Sequence, residues 1–145
     1  MKIDIKLLND LATIPTIGSP YAAGADLYAA TDSDLVIRSG ETVKVDTGIS
    51  LAIPEGYFGA IFARSGLATK QGLRPANAVG VVDSDYRGGI IVALHNDSDE
   101  PQIIPAKARI AQLVILPCQT FEFNQVDELN DTKRGEGGFG STGLK

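Results

Sequence analysis

Apolar and polar positions alternate with a period of two along most of this chain. In residues 2–8, Ile3, Ile5 and Leu7 fall on one side and Lys2, Asp4 and Lys6 on the other, which predicts a first strand. Residues 24–30 (GADLYAA) predict a short strand that opens on glycine. Leu35 and Ile37 alternate before a turn at Ser39 and Gly40, and Val43 and Val45 after it. Ile49, Leu51 and Ile53 continue until Pro54 and Gly56 stop the run, and residues 57–63 form another short strand. Residues 107–116 (KARIAQLVIL) are a long β-rich run, and residues 121–126 a last strand. Residues 65–72 have helical character, a turn or two at most. Residues 13–20, with two prolines and a glycine, read as loop, and residues 96–101 (NDSDEP) as a plain turn. Short strands at even spacing with turn residues between them indicate an all-β sandwich or barrel.

The richest stretch is residues 77–95, NAVGVVDSDYRGGIIVALH. Two Val/Ile-rich runs suit a pleated, half-buried surface. Between them lies a polar turn with Asp83, Asp85, Tyr86, Arg87 and the pair Gly88 and Gly89. The pattern predicts a β-hairpin with a bulged connection. Such a turn is either a solvated tip or a place where carboxylates, a phenol and a bare backbone meet a ligand.

Composition narrows the classes. A chain of 145 residues can build one domain with a real core. No apolar run reaches membrane-spanning length, and the charges in residues 2–6 argue against a signal peptide, so no membrane association is expected. The single cysteine, Cys118, forms no internal disulfide, which suits a cytoplasmic or nuclear setting. A net charge of −5 argues against stable nucleic-acid binding but leaves room for a small anion held by local cations. The only histidine, His95, has no second partner for a triad or a histidine metal site and reads as structural. Cys118 reads as an inert small residue, and no Walker lysine motif is present.

Several segments carry chemistry. In ARSGLA (63–68), Arg64 offers a planar fork of donors, and Ser65 and Gly66 stand where a helix starts. The other reading is a surface ion pair and an N-cap. The tail, 130–145, has almost no apolar residue apart from Phe139 and Leu144, yet Arg134, Gly140, Ser141 and Thr142 describe a loop of exposed donors. It reads either as a floppy terminus or as a lid that stacks Phe139 on a flat base. Asp26 and Asp83 sit beside short strands with glycine nearby, and either cap turns or serve a cation or a water. Gln112 lies in an apolar strand, where alternation puts it on the same face as Ile110, with Ala111 and Leu113 on the other. A buried glutamine there needs a hydrogen-bond partner, from the protein or from a ligand.

Five segments, AGADLYA (23–29), ARSGLA (63–68), NAVGVVDSDYRGG (77–89), RIAQLVI (109–115) and RGEGGFGSTG (134–143), resemble in order and spacing the motifs of the trimeric dUTP pyrophosphatase (dUTPase) family. The resemblance covers nearly the whole chain. It implies a distorted antiparallel β-barrel of jelly-roll type over residues 1–130, and a flexible arm, 131–145, that closes over a neighbouring subunit's active site. It implies a homotrimer with shared sites: the first, second and fourth motifs from one chain, the hairpin from a second, the tail from a third. The implied reaction is Mg²⁺-dependent hydrolysis of dUTP to dUMP and pyrophosphate. By position, Asp83 would orient or activate the water, and Tyr86 would pack beneath the deoxyribose where a 2′-hydroxyl would clash. Asn77 and the backbone near Gly80 and Val82 would read uracil. Ser65, Gly66 and Gln112, with Arg64 close by, would bind phosphate. Asp26 would approach the metal through water. Arg134, Ser141 and Thr142 would clamp the distal phosphates, beside Gly140, and Phe139 would cover the base. Val82 stands where many members carry isoleucine, and Ser84 and Arg87 fill positions that the motif leaves free.

Two rivals remain. A dCTP deaminase of related fold carries a catalytic glutamate near the second motif, but the residues after Arg64 here, SGLATKQG, contain no acid. A catalytically silent binding barrel would lack Asp83 or Arg134, and both are present.

Overall fold

The alternation produces strands almost wherever it occurs. A computed structural model of the chain describes residues 1–138. In order, the strands are β1 (Asp4–Leu7), β2 (Thr16–Ile17), β3 (Gly24–Tyr28), β4 (Leu35–Ile37), β5 (Thr42–Asp46), β6 (Ile49–Ala52) and β7 (Tyr57–Phe62). A seven-residue helix, α1 (Ser65–Gln71), follows. Then come β8 (Leu73–Pro75), β9 (Gly80–Val82), β10 (Ile91–Asn96), β11 (Gln102–Ile104) and β12 (Arg109–Pro117). Hydrogen bonds join them into antiparallel sheets of order β1-β6, β5-β10-β8, β11-β4 and β2-β3-β12-β7-β9. The expected all-β, antiparallel class is what the chain adopts. No described helix is long and apolar enough to cross a membrane.

The inward positions of these strands make one apolar cluster. Leu27, Ile37, Val45, Ile49, Leu94, Ile104 and Ile110 are almost wholly removed from water. Each buried side chain of this size contributes about 1.5–3 kcal/mol relative to exposure. Helix α1 stops at Gly72, whose φ of 66° is the left-handed conformation that ends helices and that glycine adopts without strain.

The sequence expectations fail in four places. The central stretch is no hairpin. Its first arm, β9, pairs with β7 (Gly80 opposite Ile61, Val82 opposite Gly59), whereas its second arm, β10, pairs with β5 and β8. Residues 83–89 therefore cross from one sheet to another. Residues 121–126 are not a strand. Regular structure ends at Pro117, and Phe121, Phe123 and Leu129 lie largely in solvent, the two phenyl rings stacked edge to face at 5.3 Å. The face assignment along β12 also fails. A β-bulge between Arg109 and Ala111 makes Ile110 and Ala111 both buried, so that Ile110 leaves the face that holds Gln112.

The fourth is Asn96, at the start of the supposed plain turn. It is fully buried. Its Nδ2 donates to the carbonyls of Ile37 (3.0 Å) and Glu100 (2.8 Å), and its Oδ1 accepts from Ser98 N (2.9 Å) and Ser98 Oγ (2.7 Å). The amide thus uses both of its donor hydrogens and both acceptor positions. Its neighbour His95 is structural, as expected. Its Nδ1 lies 2.8 Å from Thr42 Oγ1 and its Nε2 3.3 Å from Asp97 Oδ1. A hydrogen bond from the Arg74 guanidinium holds the Asp97 carboxyl below the ordinary carboxylate range. Replacing Asn96 by Ala removes the buried bond to the Ile37 carbonyl and the acceptor of Ser98 N, while the Glu100 carbonyl keeps Ser98 Oγ, and denaturant unfolding should show a loss of about 2–4 kcal/mol. Asn96→Asp, which turns an oxygen toward those carbonyls, should cost at least as much.

Candidate active site

Strand β3 projects Leu27 into the core and therefore Asp26 outward. Asp26 stands directly opposite Gln112 on β12, and Gln112 opposite Phe62 at the end of β7. Arg64 lies two residues beyond Phe62. It has extended backbone (φ −79°, ψ 130°) as the N-cap of α1 and makes no side-chain cap. Its guanidinium turns back instead, and Nε donates to Asp26 Oδ1 at 2.8 Å. Arg109 Nη1 donates to Asp26 Oδ2 at 3.1 Å, so each carboxylate oxygen receives one arginine. Two cations around one half-buried carboxylate leave a net positive spot.

The bulge in β12 makes this possible. It puts Arg109 and Gln112, three residues apart, both on the outer side, whereas strict alternation would oppose them. Arg109 is the member of this cluster that the sequence reading did not name. The signal was a cation opening the run RIAQLVI, and alternation concealed it. Gln112 Nε2 donates to Ala63 O at 2.9 Å, which ties β12 to the strand–helix junction. Its Oε1 lies where a side chain on Gly24 would come to 2.9 Å, so glycine at position 24 keeps the room. Ser65 and Gly66 are exposed in the first turn of α1, which contains no acid.

A second set gathers elsewhere. Asn77, Gly80, Val82, Asp83 and Tyr86 line one cavity of about 240 Å³, floored by Ile61 and Ile90. The Asn77 amide sits over Gly80, 3.6 Å from where a Cβ would stand. Val82 is buried, while Asp83 is exposed and its carboxylate bonds no protein group among the described residues. Asp83 also borders a wide open groove of about 1020 Å³ that Glu55, Ser84 and Asp85 line. The acid thus stands on the lip between a smaller cavity and a wider, anionic one. Tyr86 leans across the loop, Oη donating to Gly89 O at 3.2 Å. A larger apolar cavity of about 360 Å³, between Ile3, Ile14, Ile17 and Ile115, holds none of these acids or arginines.

The chain does not bring the two sets together. Asp83 follows Val82, which faces Gly59, whereas Gln112 faces Phe62. Asp83 thus lies about four rungs of β7 away from the arginine cluster, or about 13 Å. Arg134 is in neither set: its Nε donates locally to Gly137 O at 2.8 Å. Phe139, Gly140, Ser141 and Thr142 lie outside the described residues.

Comparison with known proteins gives one answer. The family model described as dUTPase matches residues 10–143. A deoxyuridine 5′-triphosphate nucleotidohydrolase of Desulfitobacterium hafniense is 51% identical over 132 residues, covering 90% of this chain and 87% of its own. Among solved structures, a point mutant of the Staphylococcus bacteriophage 80alpha dUTPase with dUpNHpp superposes with a TM-score of 0.90 at 30% identity, over 99% of both chains. A mutant dUTPase from phage phi11 of S. aureus, described for its coordination of a structural Mg(II) ion, gives a TM-score of 0.78 at 27% identity, over 88% of this chain and 98% of its own.

The arginine cluster depends on one charge. Asp26→Asn leaves Arg64 and Arg109 facing each other without their anion, and Arg64 is free to swing off β3. Unfolding experiments should show a loss of about 1–2 kcal/mol, discounted for partial exposure.

Proposed function

The chain belongs to the dUTPase family, and we propose that it hydrolyses dUTP to dUMP and pyrophosphate by attack of water at the α-phosphorus. Such a reaction keeps uracil out of DNA and supplies dUMP for thymidylate synthesis. The observation that carries this reading is the place of Asp83, between a small pocket walled by backbone and a groove open to a longer ligand.

Uracil enters the small pocket. The backbone of Gly80 and Val82 and the Asn77 amide present donors and acceptors to its edge, and a rigid main chain leaves no room for a 5-methyl group. A soft apolar pocket would discriminate a methyl group by only about 1–3 kcal/mol. The Tyr86 ring lies against the deoxyribose. Asp83, unpaired, accepts a hydrogen bond from the attacking water and takes its proton as the new bond to phosphorus forms. The bond from phosphorus to the bridging oxygen then breaks, and pyrophosphate leaves. No covalent nucleophile is required, only positioning and charge neutralisation.

The positive charge comes from Arg64, Arg109 and, over the distal phosphates, Arg134, with Ser65, Gly66 and Gln112 as neutral donors. Among the described residues no group of three or more His, Cys, Asp or Glu side chains could hold a metal. Asp26 offers a single carboxylate whose two oxygens already take arginine donors. A carboxylate so occupied would hold Mg²⁺ only through water rather than by direct ligation. When bound, the ion would neutralise phosphate oxygens.

The distance between Asp83 and the arginine cluster supports a site shared between copies. A second chain would bring its Asp26, Arg64 and Gln112 to the groove beside Asp83. A third would lay down its arm, residues 131–145, with Arg134, Phe139, Gly140, Ser141 and Thr142, over the 1–130 domain. The exposed Phe121, Phe123 and Leu129 fit the same homotrimer, because apolar surface of this kind is costly unless a partner covers it.

A panel of dUTP, dTTP, dCTP and UTP with and without Mg²⁺ tests the reading by pyrophosphate release. Only dUTP should be turned over efficiently; preference for dCTP, with ammonia released, would replace the assignment by a deaminase. Asp83→Asn should lower kcat about 10²–10⁴-fold with dUTP affinity nearly kept. A variant with unchanged kcat would remove Asp83 from the mechanism.

A further inference from the structure

We infer that Ser50 is a positioning residue: it fixes the peptide against which Tyr86 rests, and through it the discrimination between deoxyribose and ribose. The inference rests on the proposed function above, in which the Tyr86 ring faces the sugar.

Ser50 lies in β6, ISLA, where Ile49 and Leu51 point into the core. Alternation turns Ser50 to the opposite side, where a strand residue is normally wet. Instead it is only 8% exposed. Its Oγ donates to Arg87 O at 2.8 Å. Among the described residues, this is the one hydrogen bond that reaches residues 83–89 from outside the loop. The other bonds are internal. Arg87 Nη1 donates to Ser84 O (2.6 Å) and Tyr86 O (3.0 Å), and Tyr86 N donates to Asp83 O (3.2 Å). The loop is therefore a self-wound unit, carrying Asp83 and Tyr86 together, and Ser50 is the pin that fastens its middle to the sheet.

The pinned atom matters. Arg87 O belongs to the peptide that leads into Gly88, and Gly88 lies directly under the phenol: a Cβ there would stand 2.3 Å from Tyr86 Oη. The ring is about half exposed, so packing alone does not hold it. It rests on this peptide and on its bond to Gly89 O. If the peptide is free to tilt, the ring can retreat, and space for a 2′-hydroxyl opens.

Thr47 supplies a control. Its Oγ1 makes the same kind of bond, buried hydroxyl to carbonyl, to Ile90 O at 2.6 Å, but beyond the loop. Ile90 O also accepts from Thr47 N at 3.1 Å, so Thr47→Val leaves that carbonyl satisfied. The experiment measures kcat and KM for dUTP and UTP in the wild type, Ser50→Ala and Thr47→Val, with melting temperatures. Both variants should melt a few degrees lower. Only Ser50→Ala should narrow the dUTP-to-UTP ratio of kcat/KM, by about tenfold, the change expected when one buried hydrogen bond is lost. If Ser50→Ala does not fold, Ser50→Cys, of similar size but a weak donor, carries the same comparison. An unchanged ratio with a lowered melting temperature makes Ser50 merely structural and overturns the inference. So does an equal narrowing in Thr47→Val, which marks general loosening. A wild type that does not turn over dUTP fails the underlying reading, a result distinct from both.

Discussion

One carboxylate shared by two guanidinium groups decides how this molecule presents positive charge. Arginine side chains are long and carry much rotamer entropy, so an unrestrained pair on a strand edge would sample solvent. Asp26 removes that freedom by taking Arg64 on one oxygen and Arg109 on the other. The pair stays cationic overall because two positive charges meet one negative charge. The cost of ordering the side chains is met in folding, which would preorganise the cluster for the phosphates of the proposed substrate. The carboxylate owes its position to β3 lying beside β12, and Arg109 owes its reach to a single extra residue in β12. Without that bulge Arg109 would point to the face occupied by Ala111 and Leu113, into the core.

This explains what could be read from the sequence and what could not. Period-two alternation located most of the strands, because burial of one face imposes it locally. Residues such as Arg64, Asp83 and Asn77 stood out because their types suit the chemistry. The bulge was not legible. An inserted residue leaves composition and propensity unchanged, and only the pairing with β3 reveals that Ile110 and Ala111 are buried side by side. The hairpin expectation failed for a related reason. Two apolar runs around a polar turn specify two strands, but nothing local specifies that β9 seeks β7 while β10 seeks β5 and β8.

Asn96 and Ser50 share a further kind of invisibility. Polar residues at a turn or mid-strand are ordinary in composition, and their importance comes from partners distant in sequence: Ile37 for Asn96, Arg87 for Ser50. A buried polar group without such a partner would destabilise the fold, so its presence at low exposure implies the partner. That argument needs burial, and burial is a tertiary property. Phe121 and Phe123 show the converse. Their alternation is that of a strand, yet the chain offers them no neighbouring strand, so they remain exposed. A segment patterned for burial and left uncovered points beyond the single chain.

The division of the site follows from the same geometry. Asp83 stands beside acids, Glu55 and Asp85, in a groove whose own charge repels phosphate. The arginines stand about four rungs away, around Asp26. Among the described residues the Asp83 carboxylate bonds no protein group, and the two arginines keep the Asp26 carboxylate. Under the proposed function a nucleoside triphosphate would engage both, its base and sugar in the cavity beside Gly80 and its phosphates against the cations. In the proposed shared site each copy would keep its own acid and its own arginine cluster apart, and the two would meet only between copies. Within one chain about four rungs separate Asp83 from the arginine cluster, too far for a direct ion pair of the kind that Arg64 makes with Asp26.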